Sequence, residues 1–339
     1  MARPFLITGA SGFVGRHLLQ ARAANTAALA LVRDPKAWAE QDWSGGLKHV
    51  DLVQGSVTAT ASWAGQLPPL AGIFHLAALV RHSRRDTEEV YETNIEGSLN
   101  MVRIAANHQC RVVMLSTSGT VGCFRSPDEV ADENAEFCEE TVASWPYYHS
   151  KILAEMKVRE LADSLGVEVV FIRPPVLLGP EDHRFRSTGN VLRMLRGQLP
   201  FLIQGGINVV DVRDASKAIL RAMALPNARP IYHLDGTSLT IKEFFGMVEA
   251  VSGVRAPRWV LPLGLARLLA TMDVFIGMRM RGKPLHLFPD PVVVEMASHY
   301  WGLKSLYAES ELGYQSRDLR ATMHDTVDWL HGHHKSFSS

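Results

Sequence analysis

Tyr147 and Lys151 stand four residues apart in the segment Pro146-Tyr147-Tyr148-His149-Ser150-Lys151. On a helix that spacing puts both side chains on one face. A free phenol has a pKa of about 10, too high for ready proton exchange near neutrality. A nearby ammonium stabilises the phenolate and lowers that value. A tyrosine tuned in this way can give a proton to a carbonyl oxygen or take one from an alcohol. Such a pair is common on helices, so its weight comes from where it lies along the chain. Tyr148 falls elsewhere on the helix and reads as packing.

A second group of polar side chains follows an apolar run. Val112-Val113-Met114-Leu115 leads directly into Ser116-Thr117-Ser118-Gly119-Thr120-Val121-Gly122. In an open α/β sheet the ligand crevice lies at the carboxyl ends of the strands. A hydroxyl there can hydrogen-bond a substrate carbonyl and polarise it. Ser118 is the first choice, Thr117 the second and Ser116 the third. At least two of the three should simply cap backbone groups of the loop.

A third feature lies near the start. Phe5-Leu6-Ile7 runs into Thr8-Gly9-Ala10-Ser11-Gly12-Phe13-Val14-Gly15, and a helical pattern follows. Gly9 permits the tight turn off the strand, Gly12 lets the backbone approach a pyrophosphate, and Gly15 allows close packing of helix on strand. The helix start supplies unpaired N–H groups and a positive dipole end for phosphates. The setting, strand before and helix after, is the one a dinucleotide site requires. Ser11, Phe13 and Val14 sit within this bend and are expected at the cofactor.

The apolar run 29–32 ends in Arg33, where NAD sites place an acid for the ribose 2′-OH. A guanidinium there suits a 2′-phosphate, and Lys36 adds a second positive charge. Asp34 argues the other way, since it could serve a 2′-OH if the strand ended one residue later. NADP is therefore expected over NAD.

These groups need a frame. Apolar strand-like runs at 5–7, 28–32, 50–54, 73–76, 111–115 and 168–172 alternate with helical patterns at 13–24, 88–107 and 147–165. Strands apolar throughout are buried on both faces, which means a parallel sheet covered by helices. The fold class is then α/β, a doubly wound parallel sheet of the Rossmann type. Beyond Pro174 the pattern changes. Residues 209–212 and 231–234 read as strands returning to the first sheet, with helices at 190–196 and 240–252. The division expected is 1–178 plus 207–235 for the dinucleotide-binding domain, and 179–206 plus 236–330 for a smaller, discontinuous substrate-binding domain. Residues 331–339 read as a disordered tail whose histidines hold no specific metal.

Composition excludes several classes. The chain has 339 residues, 47% of them apolar, with 35 basic and 35 acidic side chains. That balance gives no reason to expect nucleic acid as a partner. Cys110, Cys123 and Cys138 show no metal-ligand spacing, so no metal is expected and the compartment reads as reducing and cytoplasmic. The apolar stretch 259–277 is long enough for a membrane span but is interrupted by Pro262, Arg267 and Asp273. It reads as a buried or substrate-covering helix. Arg279, Arg281 and Lys283 keep open an interfacial membrane helix. Homodimerisation also stays open.

Taken together, the motifs resemble the extended short-chain dehydrogenase/reductase superfamily, nearest its dihydroflavonol-reductase-like and 3β-hydroxysteroid-dehydrogenase-like branch. The resemblance rests on residues 8–15, His75-Leu76-Ala77-Ala78, Asn94-Ile95-Glu96-Gly97-Ser98 and residues 116–122. Tyr147-x-x-x-Lys151, residues 173–180, residues 209–214 and Ser310-Glu311-Leu312-Gly313-Tyr314 complete it. It implies that Ser118 orients a carbonyl, that Tyr147 is the acid/base, and that Lys151 holds the nicotinamide ribose. Leu76, Ala77, Ala78 and Ser116 are placed along the cofactor groove, and Pro174, Pro175 and Val176 beside the nicotinamide. Asn94 matches a position that supports the active-site helix or, in some relatives, a proton relay. Three departures stand out: Gly55-Ser56-Val57 where the family often has Gly-Asp, Gly122-Cys123 where it often has Tyr-Gly, and Arg33 itself.

The leading expectation is an NADP(H)-dependent reductase or dehydrogenase interconverting a ketone and a secondary alcohol. The apolar stretches 199–203 and 260–276 point to a hydrophobic small-molecule substrate. An NAD-dependent sugar-nucleotide epimerase or dehydratase is the first alternative. A catalytically silent NADP-binding sensor or scaffold is the second.

Overall fold

The computed structural model describes residues 3–285 and 287–335. Its main sheet is parallel and begins with β1 (Phe5–Thr8), β2 (Ala28–Val32), β3 (Val50–Gln54), β4 (Gly72–His75), β5 (Val112–Leu115) and β6 (Val169–Arg173). Neighbouring residues on β1 serve opposite faces, because side chains alternate along a strand. Leu6 joins a core beneath α4 (Gly97–His108) and α6 (Pro146–Leu165), while Ile7 joins one beneath α1 (Phe13–Ala21) and α8 (Val212–Ala224). Both residues are fully buried, which is why these strands read as apolar without alternation.

Short helices fill the remaining links: α2 (Pro35–Ala39), α3 (Glu88–Tyr91), α5 (Glu139–Val142) and α7 (Gly189–Leu195). The single long helix expected over 88–107 is broken by a π turn at Glu92–Glu96 between α3 and α4. Such a turn carries one extra residue and redirects its side chains. Asn94 lies in it and reaches across to the loop after β4. Its Oδ1 accepts from Leu79 N at 2.8 Å, and its Nδ2 donates to Ser150 Oγ on α6 at 2.9 Å. Helix α6 starts with Pro146 in its first turn and stops at Gly166, whose φ of +65° suits a residue without Cβ.

The main sheet is completed by β10 (Ile231–His233), and its order is β10-β6-β5-β4-β1-β2-β3. The chain direction across the sheet reverses between β1 and β4, and the crevice at such a switch point is where ligands bind in this architecture. Residues 209–212 do not return to this sheet as expected. β7 (Val176–Leu178) and β9 (Gly206–Asp211) pair with each other, and β9 pairs with β11 (Thr237–Thr240) in a separate sheet. The cause is local. Pro174 and Pro175 have no N–H to continue the β6 ladder, so the chain leaves the main sheet there. Val212 starts α8 rather than ending a strand.

Most remaining elements form a lobe beside the second sheet: β8 (Leu202–Ile203), α9 (Ile241–Ser252), β12 (Val260–Leu261), α10 (Leu263–Arg281), α11 (Pro291–Ala297) and α13 (Leu319–Lys335); α12 (Ala308–Leu312) instead packs into the main-sheet core beside α8 through Ala308 and Leu312. Thr240 and Glu243 cap α9 reciprocally, each side chain taking a backbone N–H of the other. Helices α7, α9 and α13 share a core around Val191, Phe244, Val248 and Met323. Helix α13 runs through Lys335, five residues into the stretch expected to be an unstructured tail. Buried Val327 and Leu330 anchor its last turns. Residues 336–339 lie outside the described residues.

Candidate active site

The carboxyl ends of β1, β4, β5 and β6 converge on one cavity of about 440 Å³. Its wall includes Gly9, Gly12, Ser118, Tyr147, Pro174 and Trp301. The glycine bend and the tyrosine, distant in sequence, therefore share one cleft. A larger hollow of about 700 Å³ lies toward the amino-terminal ends of β1 and β2, lined in part by Phe5 and Ala28, and holds none of the predicted groups.

The bend is shaped as a backbone cradle. Gly9 has φ +69°, and a Cβ there would lie 2.7 Å from Ala77 N and 2.7 Å from Leu76 C. At Gly15 a Cβ would meet Gly9 O at 2.3 Å, so α1 packs against the turn too closely for any side chain. Gly12 caps α1 without a side-chain bond, leaving the first N–H groups of that helix free toward the cleft. The cradle thus fits a pyrophosphate. His75, at the end of β4, ties the site to its scaffold. Its Nδ1 lies 2.8 Å from Thr8 Oγ1 and its Nε2 3.1 Å from Ser98 Oγ. Burial pushes the His75 pKa down to about 3, with Lys151 acting in the same direction, so the ring stays neutral.

The three hydroxyls after β5 separate by role. Ser116 donates to the buried carboxylate of Glu155. Thr117 Oγ1 accepts from Gly119 N at 3.3 Å and caps the turn Ser118–Thr120. Ser118 donates its backbone N–H to Pro174 O at 2.8 Å, and among the described residues its hydroxyl has no protein partner. Ser118 is therefore the hydroxyl left for a ligand. Ser116 was placed at the cofactor groove from the sequence; it lines the cavity, but its hydroxyl is turned to Glu155.

Tyr147 is half-buried on the cavity wall, its ring 5.4 Å from that of His82 in an edge-on arrangement. Tyr148 is also on the wall, packed on Gly119 and on Trp301. Its expected role as packing is thus only part of what it does. Lys151 lies beneath the wall, buried, and donates to Leu115 O at 2.8 Å. Burial lowers its pKa to about 8, against the opposing pull of Glu155. The expected lowering of the tyrosine pKa does not occur in this environment. Desolvation disfavours the phenolate, and Tyr147 is pushed up to about 12. At neutral pH the phenol is protonated and the amine mostly so, and the phenol therefore has a proton to give.

Behind Lys151 the stripe continues. Glu155, four residues on, receives Arg173 through Nε at 3.1 Å and Nη2 at 2.6 Å, and Arg159 at 3.0 Å. Burial raises the Glu155 pKa, but Arg173, Ser116 and Arg159 together hold it below the usual carboxylate range. Sequence reading passed over Glu155, although its spacing from Tyr147 and Lys151 was the signal.

Two other groups were missed. His82, after β4, presents its ring to Tyr147 and Tyr148, and its buried Nδ1 has no partner among the described residues. Burial and Arg186 push its pKa down to about 4, so it is neutral. The loop at 181–188 carries Arg184 and Arg186 to the cavity wall. Asp182 braces that loop by accepting from Ser187 N, Thr188 N and Thr188 Oγ1. Glu181 pairs with Arg16 of α1 at 2.6 Å, and Arg184 Nη2 lies 3.4 Å from Ser11 Oγ. Burial, with Arg33 and Arg186 nearby, lowers the Arg184 pKa; three guanidinium groups crowd this edge.

Arg33 and Lys36 are outside the cavity, Arg33 exposed at the end of β2. Asp34, the competing acid, uses Oδ1 to cap α2, accepting from Lys36 N at 2.9 Å and Ala37 N at 3.2 Å. Leu76, Ala78, Pro175 and Val176 line the cavity with Phe13 and Val14; Ala77 contributes its backbone beside Gly9. The stretches 199–203 and 260–276, expected to form the substrate wall, do not reach it. Ile207, Ile241, Val293 and Met296 supply the apolar lining instead.

A glycine-cradled dinucleotide site joined to a tyrosine-bearing cavity defines an NAD(P)-dependent oxidoreductase of the Rossmann class. The profile of the NAD dependent epimerase/dehydratase family matches residues 5–234, and the chain belongs to that family. It is 27% identical to the putative dihydroflavonol 4-reductase of Synechocystis over 98% of this chain and 96% of that one. It is 30% identical to cinnamoyl-CoA reductase 1 of Oryza sativa subsp. japonica over 72% of this chain and 74% of that one. The crystal structure of gox2253 superposes with a TM-score of 0.80 at 25% identity, covering 98% of this chain and 99% of that one.

Proposed function

We propose that this chain reduces a ketone on a hydrophobic small molecule to a secondary alcohol, using NADPH. One observation carries the reading: the hydroxyls of Ser118 and Tyr147, neither engaged by the protein among the described residues, lie on the cavity wall that continues over the glycine bend. The nicotinamide cofactor supplies hydride when bound. Gly9, Gly12 and Gly15 admit its pyrophosphate to the free N–H groups of α1. Ser118 donates to the substrate carbonyl oxygen and fixes its position. Tyr147 gives that oxygen a proton as negative charge develops on it. Lys151, held on the Leu115 carbonyl, stabilises the phenolate left behind. His82, neutral and with Nδ1 unpartnered among the described residues, orients a polar group of the substrate. The apolar wall at Val293, Met296 and Trp301 supports a lipophilic or aromatic substrate, as do the names of the dihydroflavonol and cinnamoyl-CoA relatives. The substrate lies between the main sheet and the lobe formed by α9 and α11.

NADPH oxidation at 340 nm with a panel of aromatic and alicyclic ketones tests this. Turnover on sugar nucleotides alone, with NAD retained through the cycle, would overturn it in favour of an epimerase or dehydratase. Arg186 and Asn190 on the cavity wall are the observation that favours that second reading, because they could take a nucleoside diphosphate. A silent sensor requires that Tyr147 be dispensable.

The arginines give a cofactor test. Arg33→Ala is expected to raise the KM for NADPH about 10- to 100-fold with little change for NADH, since a charge-assisted bond to a 2′-phosphate is worth about 1.5–3 kcal/mol. Arg184→Ala, next to Ser11 on the bend, is expected to raise both KM values alike. Equal loss for both cofactors in the Arg33 variant would remove the NADP assignment.

A pH profile gives another. The kcat/KM of reduction reports the free enzyme. Tyr147 stays protonated until about pH 12, so it does not limit the neutral range. Lys151 loses its proton as pH rises through about 8. Reduction should therefore be flat below pH 8 and fall above it. Lys151→Arg, whose guanidinium does not titrate there, should lower the plateau and abolish the fall. A wild-type profile flat to pH 10 would show that the ammonium charge is not used.

A further inference from the structure

Helix α10 carries its apolar residues on the wrong side for a water-soluble surface. Its inward residues are Ala266, Ala270, Asp273 and Gly277, spaced by four, three and four, so they form one narrow stripe. The packing there is close. A Cβ on Gly277 would lie 2.5 Å from Leu285 N, and the Asp273 carboxylate accepts from Leu287 N at 2.8 Å. The large side chains point outward instead: Leu268 is 56% exposed, Phe275 68% and Met280 72%, with Trp259 at 79% just before the helix. Scattered exposed leucines are ordinary, but a contiguous apolar face of this kind marks a contact surface.

The charge around that face has one sign. Between residues 253 and 285 the basic residues are Arg255, Arg258, Arg267, Arg279, Arg281 and Lys283. All six are exposed, and the only acid in the stretch, Asp273, is buried. Arg267 pairs with Glu295 of α11; the other five have no ion pair among the described residues. The chain as a whole is neutral, so this collar is a local segregation of charge rather than a property of the composition.

We propose that α10 and its flanks dock this protein on an anionic lipid surface, with the helix lying in the interface. Leu268, Met272, Phe275 and Met280 enter the acyl boundary, Trp259 sits at headgroup depth, and the arginines meet lipid phosphates. Among the described residues no helix is long and apolar enough to cross a membrane, so the chain lies on the bilayer rather than through it. A second copy of the chain fits the face less well. In a two-fold pair the same patch meets itself, so the unpaired arginines of one copy would face those of the other. The placement also suits the cavity. Helix α11 touches α10 through Val294 and presents Val293 and Met296 to the cavity, and Arg85 of the loop bearing His82 reaches Met278 Sδ at 3.5 Å.

Co-sedimentation of the full chain with extruded vesicles tests this. The expected result is binding to phosphatidylcholine vesicles containing phosphatidylglycerol, weak binding to phosphatidylcholine alone, and loss of binding as salt rises. Phe275→Ser combined with Met280→Ser should lower partitioning at least tenfold on both vesicle types. Arg279→Gln combined with Arg281→Gln should erase about tenfold of the preference for the anionic vesicles. Melting temperature and cofactor binding, read by fluorescence, should be unchanged in both variants. Wild-type protein left in the supernatant with anionic vesicles would overturn the proposal. So would a dimer in sedimentation equilibrium that the Phe275/Met280 variant converts to monomer without any vesicle binding.

Discussion

Tyr147→Phe is expected to lower kcat for carbonyl reduction by about 10²- to 10⁴-fold, the range for removing a positioned general acid. Little else should change. The ring keeps its edge contact with His82, and among the described residues the hydroxyl it loses bonds no protein group. Cofactor affinity and melting temperature should therefore stay near wild type. A fall in kcat of less than fivefold in single-turnover reduction would remove Tyr147 from the chemistry. Ser118→Ala provides the comparison. It should cost less, because a neutral hydrogen bond to the carbonyl oxygen is lost while the proton donor remains. If the serine variant were the more damaged, the oxygen would depend on Ser118 for its charge stabilisation, and the roles proposed here would need exchanging.

The largest stability effect is expected away from the ligand. Glu155→Ala should destabilise the protein by about 3–5 kcal/mol in denaturant unfolding, because it strands the buried Arg173 guanidinium. That cation donates two bonds to Glu155, and its other contacts among the described residues are the His233 ring nitrogen at 3.3 Å and the face of the Phe137 ring. Replacing both partners by apolar residues, Glu155→Leu with Arg173→Met, should recover most of the loss. A double variant as unstable as the single would mean that packing, not the orphaned charge, sets the cost. The pH sign follows from the direction of the shift. The folded carboxyl sits below its unfolded value, so its contribution is complete above the unfolded pKa of about 4.3 and is lost as pH falls through the folded one. Acid should thus unfold wild type at a higher pH than it unfolds the doubly apolar variant. Because Glu155 also raises the Lys151 pKa, its loss should move the alkaline fall of activity to lower pH.

Much of this protein could be read from local chemistry. Gly9 and Gly15 occupy a turn where backbone meets backbone, and a Cβ at either would clash with main-chain atoms; at Gly12 it would be tight, 3.1 Å from Gly9 O. The apolar runs of β1, β2 and β4 announce strands covered on both faces, and the spacing of Tyr147 and Lys151 announces one helix face. These are short-range constraints, set by sterics and periodicity within a few residues. The family follows from their combination.

Other features depend on which distant segments meet. The sequence offers three hydroxyls after β5, and only the folded chain shows Ser116 held by Glu155 and Thr117 held by its own turn. It suggests an ammonium that acidifies a phenol, whereas burial of the ring raises the phenol pKa and keeps it protonated, as a weaker acid than the sequence implies. It shows β9 as an apolar strand but not which sheet receives it, because that choice is made by two prolines at the end of β6 and by partners far along the chain. Helix α10 is the sharpest case. Its composition is equally that of a buried helix, and only packing against α11, residues 283–285 and Leu287 decides that the small residues face in and the large ones face out. Periodicity identifies a face; the tertiary structure decides what that face meets, because burial is a property of the neighbours and not of the residue.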